Sequence, residues 1–179
     1  MNTKHQGHGL IHLYCGEGKG KTTCAMGLAL RAAGRGIPVV IAQFLKSEDS
    51  GERIAFAAVP GVTLLPLPEQ VKFTFSMTEQ EKAEEGRRSA ERLQEAFALA
   101  ETQGGLLILD EVCAAISSGM LLPEKVVRRI DQRRPDIELV LTGRDPIPEL
   151  MERADYITEF TNIRHPYSRG ITARRGIEY

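Results

Sequence analysis

Short apolar runs alternate with amphipathic stretches along this chain. Residues 9–15 (GLIHLYC), 37–44 (IPVVIAQF), 105–110 (GLLILD) and 137–143 (IELVLTG) have strand length and apolar character. Residues 61–67 (GVTLLPL) form a weaker run, and 154–160 (ADYITEF) a sixth. The runs at 105–110 and 137–143 are apolar throughout, as in strands of a parallel sheet covered by helices on both faces. A helix is predicted from about residue 20 to 35, and a longer crossover helix over 78–103. Thr78 and Glu81 form a capping-box pattern at its start. Ala90, Leu93, Phe97 and Ala100 then give its second half one apolar face. Its first half is almost wholly charged, with Glu84 and Arg88 at i,i+4, and reads as a solvated face. The alternation predicts a doubly wound α/β fold, mainly parallel, with helices on both sides. No repeat, low-complexity tract or linker divides it, so 1–179 is expected to be one domain.

The first strand runs into Cys15-Gly16-Glu17-Gly18-Lys19-Gly20-Lys21-Thr22, followed by Thr23. This is the Walker A pattern at its last three positions, with Cys15 where the first glycine usually stands. Glycines at 16, 18 and 20 allow successive backbone N–H groups to turn toward one anion, and the helix start adds partial positive charge. Lys21 would reach phosphates and the Thr22 hydroxyl would bind Mg²⁺. Leu106–Asp110 followed by Glu111 is the Walker B arrangement, placing Asp110 and Glu111 as metal candidates at a strand's carboxyl end. The expected ligand is a nucleoside triphosphate with Mg²⁺. Spacing leaves open an ATPase, with Glu111 orienting water, or a small-molecule kinase.

Composition narrows the surroundings. Hydrophobic residues make up 42% and charged residues 26%, as in ordinary globular proteins. A net charge of −1 gives no footprint for nucleic acid or an anionic membrane. The three cysteines suit neither a disulfide framework nor a zinc site. Cys15 and Cys24, which flank the loop, are expected to be small buried side chains rather than redox groups. Residues 1–9 lack an apolar signal region, and no run approaches the ~20 residues of a membrane span, so a cytoplasmic location is expected. His5, His8, His12 and His165 are expected to be solvated or structural.

Residues 14–52 resemble the opening of the ATP:corrinoid adenosyltransferases of cobalamin synthesis and salvage. Their G-x-G-K-G-K-T-T loop, R-A-x-G-x-G helix end and Q-F-x-K strand end stand here at 16–23, 31–36 and 43–46. LDE at 109–111, RRP at 133–135, TGR at 142–144, ADYITEF and the tail from residue 164 continue the match. The resemblance implies a P-loop NTPase-like, RecA-like fold with ATP held in the opposite sense to ordinary NTPases. It implies that a Co(I) corrinoid attacks the ribose C5′ of ATP and that the whole triphosphate leaves. Such a nucleophile needs no base, which suits a chain without an evident catalytic pair. Lys19, Lys21, the loop amides and Mg²⁺ on Thr22 with Asp110 or Glu111 would then stabilise the leaving group.

Members are understood to displace cobalt's axial ligand with aromatic side chains. Their G-F-T-W segment corresponds to VKFTF here, so Phe73 and Phe75 take that role, with Phe in the usual Trp position. The start of this chain lies close to its first strand, so the longer N-terminal arm of some relatives is expected to be absent. A homodimer and a flavoprotein-type reductase are the implied partners, alongside ATP and the corrinoid. The basic tail from 164 to 175 is expected either to close over the site or to be solvated. A non-catalytic, ATP-gated corrinoid carrier is a further alternative.

Overall fold

A computed structural model describes residues 7–72 and 74–177, and of Phe75 the backbone alone. Its strands are β1 (Ile11–Cys15), β2 (Val39–Gln43), β3 (Val62–Leu64), β4 (Leu106–Asp110), β5 (Glu138–Thr142) and β6 (Tyr156–Glu159). They form one parallel sheet in the order β3-β2-β4-β5-β1-β6. The helices are α1 (Lys21–Ala33), α2 (Gly51–Phe56), α3 (Glu79–Gln103), α4 (Val112–Ser117), α5 (Pro123–Gln132) and α6 (Pro148–Met151). The expected strands and helices are all present, each lying within its expected range.

Every side chain of β2 and β4 is buried, which is why these runs carry no polar alternation. Successive residues serve opposite faces. Tyr14, Ile41, Ile108 and Val140 pack with Ala25, Met26 and Ala29 of α1 and Phe56 of α2. Leu13, Val40, Leu107 and Leu139 pack with Leu93 and Phe97 of α3, Val126 and Ile130 of α5, and Leu150 of α6. Each such fully buried aliphatic side chain contributes about 1.5–3 kcal/mol.

Helix α3 starts with both bonds of its capping box. The Glu81 amide donates to the Thr78 hydroxyl at 3.2 Å, and the Thr78 amide donates to the Glu81 carboxylate at 2.9 Å. Leu93, Phe97 and Ala100 are buried as expected, with Ala90 packed at the margin. The solvated face is only part of its charged half. Arg87, Arg88, Glu84 and Glu91 are exposed and paired at i,i+4, but Glu85, Ser89 and Arg92 are buried. The helix lies with that row against the protein, which charge content alone hides.

Strand β6 is the sheet's edge and all four of its side chains are exposed. It contributes backbone rather than core. The parallel arrangement gathers the carboxyl ends of β1, β2, β4 and β5 at one edge, and α1 leaves toward the opposite face from α4, α5 and α6. A crevice forms where neighbouring connections diverge in this way.

Phe97 is fully buried, and the Arg129 guanidinium lies 4.9 Å over its ring. Phe97→Ala is expected to cost about 3–5 kcal/mol in urea unfolding, whereas Arg129→Ala should cost about 1 kcal/mol beyond its ion pair.

Candidate functional site

The loop after β1 is seated on the end of β6. Gly18 donates its amide to the Phe160 carbonyl at 2.6 Å, and Gly16 donates to the Arg144 carbonyl at 3.1 Å. A Cβ at Gly18 would stand 2.5 Å from the Phe160 carbonyl carbon. At Gly16, where φ is +93°, it would stand 2.6 Å from the Phe160 oxygen. Only glycine allows this contact. Asn162 adds a side-chain bond to the Glu17 carbonyl at 2.9 Å.

Lys21 is buried, and its ammonium donates to the Gly16 carbonyl at 2.6 Å and the Gly18 carbonyl at 2.9 Å. Gly20 begins α1 with no side-chain cap, so the helix presents its first-turn N–H groups and partial positive charge at the loop. A cavity of about 320 Å³ lies here, bounded by residues 17–23 with Glu111, Arg144, His165 and Ile177. The exposed Lys19 donates to the Ile177 carbonyl at 3.2 Å, so the chain's last described residues reach the loop. The basic segment leading to them is largely exposed and brings His165 to the rim.

Behind the loop lies Asp110, fully buried at the end of β4 and in register opposite Gln43. Its Oδ1 accepts from the Thr22 hydroxyl at 2.9 Å and the Thr142 hydroxyl at 2.7 Å. Its Oδ2 accepts from the Gln43 amide at 3.1 Å and the Lys46 ammonium at 2.7 Å. Burial would raise this carboxyl, but the Lys46 charge and these hydrogen bonds hold it below the usual carboxylate range. The Gln43 amide is oriented from behind, because its oxygen accepts from Arg53 at 3.1 Å. Arg53 is itself buried on the Leu65 carbonyl and the Glu48 carboxylate, and Glu48 accepts from the Leu67 amide at 2.6 Å. Leu45, between Gln43 and Lys46, has a φ of 53°, a backbone state that costs on the order of 1–3 kcal/mol in a non-glycine residue.

Glu111 differs from its neighbour. It caps α4 in the left-handed region, at φ 60°, and its amide donates to the Thr142 hydroxyl at 2.9 Å. Burial and the adjacent Asp110 charge push its carboxyl up. No hydrogen bond to this carboxylate is found among the described residues.

The family described as ATP:corrinoid adenosyltransferase BtuR/CobO/CobP matches residues 7–179. The chain belongs to this family. It is similar to the corrinoid adenosyltransferase of Pseudomonas aeruginosa, 32% identical over 176 residues, covering 96% of this chain and 84% of the relative. The one from Sinorhizobium sp is 31% identical over 185 residues, covering 100% and 84%. The one from Escherichia coli K12 is 32% identical over 178 residues, covering 96% and 86%. The family is one of transferases whose substrates are ATP and a corrinoid, and the parallel α/β sheet is of the P-loop NTPase-like kind.

Of the residues expected from sequence, the fold brings Gly16, Glu17, Gly18, Lys19, Gly20, Lys21, Thr22, Thr23, Asp110 and Glu111 to one place. Phe73 lies outside the described residues, as does His5. Phe75 contributes only its backbone, in a 3-10 turn over Thr74–Ser76. Cys15 is buried, with its thiol raised by burial and Glu159, but Cys24 is exposed, which corrects the expectation for that residue. The buried stripe of α1 runs through positions 25, 26, 29 and 32 and leaves residue 24 off it. His12 is structural, bound to Glu138 at 2.6 Å and stacked on Tyr156.

Sequence reading did not assign Gln43, Lys46, Thr142 or Arg144 to the site. The signal was present in the Q-F-x-K and T-G-R matches, but nothing local showed that they converge on Asp110 and the loop cavity. Thr22, Asp110 and Glu111 are hard oxygen donors, and a positive group already sits against Thr22 and Asp110, so the set fits a small dication. No group of three or more His, Cys, Asp and Glu suited to a metal exists among the described residues. Mg²⁺ bound through one or two carboxylates and substrate phosphates needs none.

The two carboxylates predict opposite pH behaviour. Asp110 stabilises the fold at neutral pH, an effect lost as pH falls below about 3.9 toward its depressed folded value. Glu111 holds its proton more tightly folded than unfolded, so its penalty grows as pH rises above about 4.3 and is complete above its raised folded value. Glu111→Gln is therefore expected to be more stable than the parent at pH 7 in urea unfolding. The difference should disappear near pH 4.

Proposed function

We propose that this chain, acting as one domain over 1–179, transfers the 5′-deoxyadenosyl group of ATP to the Co(I) centre of a corrinoid and releases triphosphate. The supporting observation is the loop cavity, rimmed by Lys19, Lys21, Arg144 and the uncapped start of α1, while Asp110 is withdrawn behind it into hydrogen bonds. Such a cavity is suited to a polyanion. The family match supplies the corrinoid.

The reduced cobalt of the substrate carries its own electron pair. It forms the cobalt–carbon bond to C5′ as the C5′–oxygen bond breaks and both bonding electrons leave with triphosphate. No proton need be abstracted, so the protein's contribution is alignment and charge stabilisation. Lys21 is positioned to exchange the Gly16 and Gly18 carbonyls for phosphate oxygens. Lys19 and the residue 17–23 backbone grip the outer phosphates, with Thr23 beside them. Thr22, with Glu111 or Asp110, would hold Mg²⁺, which supplies charge neutralisation to the leaving triphosphate. Phe73 and Phe75 would pack against the corrinoid and exclude cobalt's axial ligand. Their segment follows Leu67, whose amide is tied through Glu48 and Arg53 to Gln43.

The reading carries a homodimer, a flavoprotein-type reductase as electron donor and a cytoplasmic location. No helix among the described residues is long and apolar enough to cross a membrane.

Incubation with ATP, Mg²⁺ and chemically reduced corrinoid is expected to yield the absorbance of an organocobalt product and stoichiometric triphosphate. ADP or orthophosphate in its place would indicate an ATPase or kinase, and binding without products a carrier. Lys21→Ala should lose about 2–4 kcal/mol of transition-state stabilisation in kcat/KM, roughly 30- to 900-fold. Phe75→Ala should impair the reaction more when cobalt starts as Co(II) with a reductase than when Co(I) is supplied. Equal losses in the two assays would remove the axial-ligand role.

A further inference from the structure

Lys46 stands where a cation would be expected to bind. Its ammonium is 2.7 Å from Asp110 Oδ2 and 3.2 Å from the Thr22 hydroxyl oxygen, across the Thr22–Asp110 hydrogen bond. All four bonds at the Asp110 carboxylate are received from donors, so the buried group is a carboxylate anion and Lys46 is the cation beside it.

The backbone is arranged to achieve this. Strand alternation would send Gln43 and Lys46 to opposite faces, as it sends Phe44 into the α3 side of the core. The left-handed residue Leu45 breaks the alternation, and both side chains reach the same carboxylate. A second seat lies nearby. Glu52 Oε1 is 3.9 Å from the ammonium, and both side chains are only partly buried. They share a cavity of about 300 Å³ with Thr22 and Thr23, and a second of about 240 Å³ with Asp49 and Val71.

We propose that Lys46 is a tethered counter-ion that holds the cation position between Thr22 and Asp110 until nucleotide arrives, then swings toward Glu52. This rests on the nucleotide reading of the loop given above. A divalent ion alone would meet an ammonium already neutralising the buried Asp110 carboxylate, so it gains little and is repelled. An ion accompanied by triphosphate brings excess negative charge, which favours both the metal and the displaced ammonium. Metal and nucleotide binding are thereby coupled positively, and by linkage each tightens the other.

Mn²⁺ binding, measured from the free-ion electron paramagnetic resonance signal without corrinoid, tests this separately from adenosyl transfer. The parent should bind Mn²⁺ weakly without ATP and much more tightly with it. Lys46→Met should bind Mn²⁺ at least tenfold more tightly without ATP, and Lys46→Arg should remain weak. Adding Asp110→Asn to Lys46→Met should abolish the gain. Unchanged or weaker Mn²⁺ binding by Lys46→Met would overturn the counter-ion role, whether or not the transfer assay succeeds. Should Lys46→Met fail to fold, Glu52→Gln decides. A threefold or greater weakening of Mn²⁺ in the presence of ATP supports the second seat, and no change overturns it.

Discussion

A buried carboxylate at the end of the central strand organises this protein. An ion without partners in the interior would cost several kcal/mol even after relaxation. Asp110 avoids that cost because four separate elements deliver donors to it: Thr22 from α1, Gln43 from β2, Lys46 from the turn beyond β2, and Thr142 from β5. The phosphate loop is held against the sheet by the same bonds that satisfy the charge. Loss of Lys46 would leave that charge unbalanced and loss of any other donor would leave it short of a hydrogen bond, so the site and the fold share one electrostatic requirement.

From Asp110 the polar chain continues through Gln43 to Arg53, Glu48 and the Leu67 amide. Gln43 and Arg53 are buried and Glu48 is exposed, and the chain runs from the loop toward the segment that follows Leu67. Each member has a fixed orientation, because each donor faces an acceptor already engaged on its other side. On the proposed reading this network would hold the loop and that segment in fixed relation, which suits a reaction whose barrier depends on alignment.

The exposed edge strand β6 is explained by the same site. Its side chains do little for the core, yet the backbone just beyond it receives Gly18 and fixes the loop's curve. The edge acts as a template for the loop after β1. Glycine at 16 and 18 follows from that contact, because a Cβ at either would enter the Phe160 peptide.

Much of this was legible along the chain. The alternation of apolar runs and amphipathic helices, the capping box at Thr78 and Glu81, and the loop from Gly16 to Thr23 are local patterns. Their physical causes act within a few residues: side-chain period, end-group hydrogen bonding and glycine's backbone freedom. Asp110 and Glu111 were legible as a pair but not as opposites, one sheltered by four donors and the other pushed toward its protonated form by burial and by that neighbour. The convergence of Lys46, Gln43 and Thr142, the burial of Glu85 and Arg92, and the exposure of Cys24 were decided only in three dimensions. Strand register, helix rotation and one left-handed residue at Leu45 set them, and each depends on contacts between segments far apart in sequence.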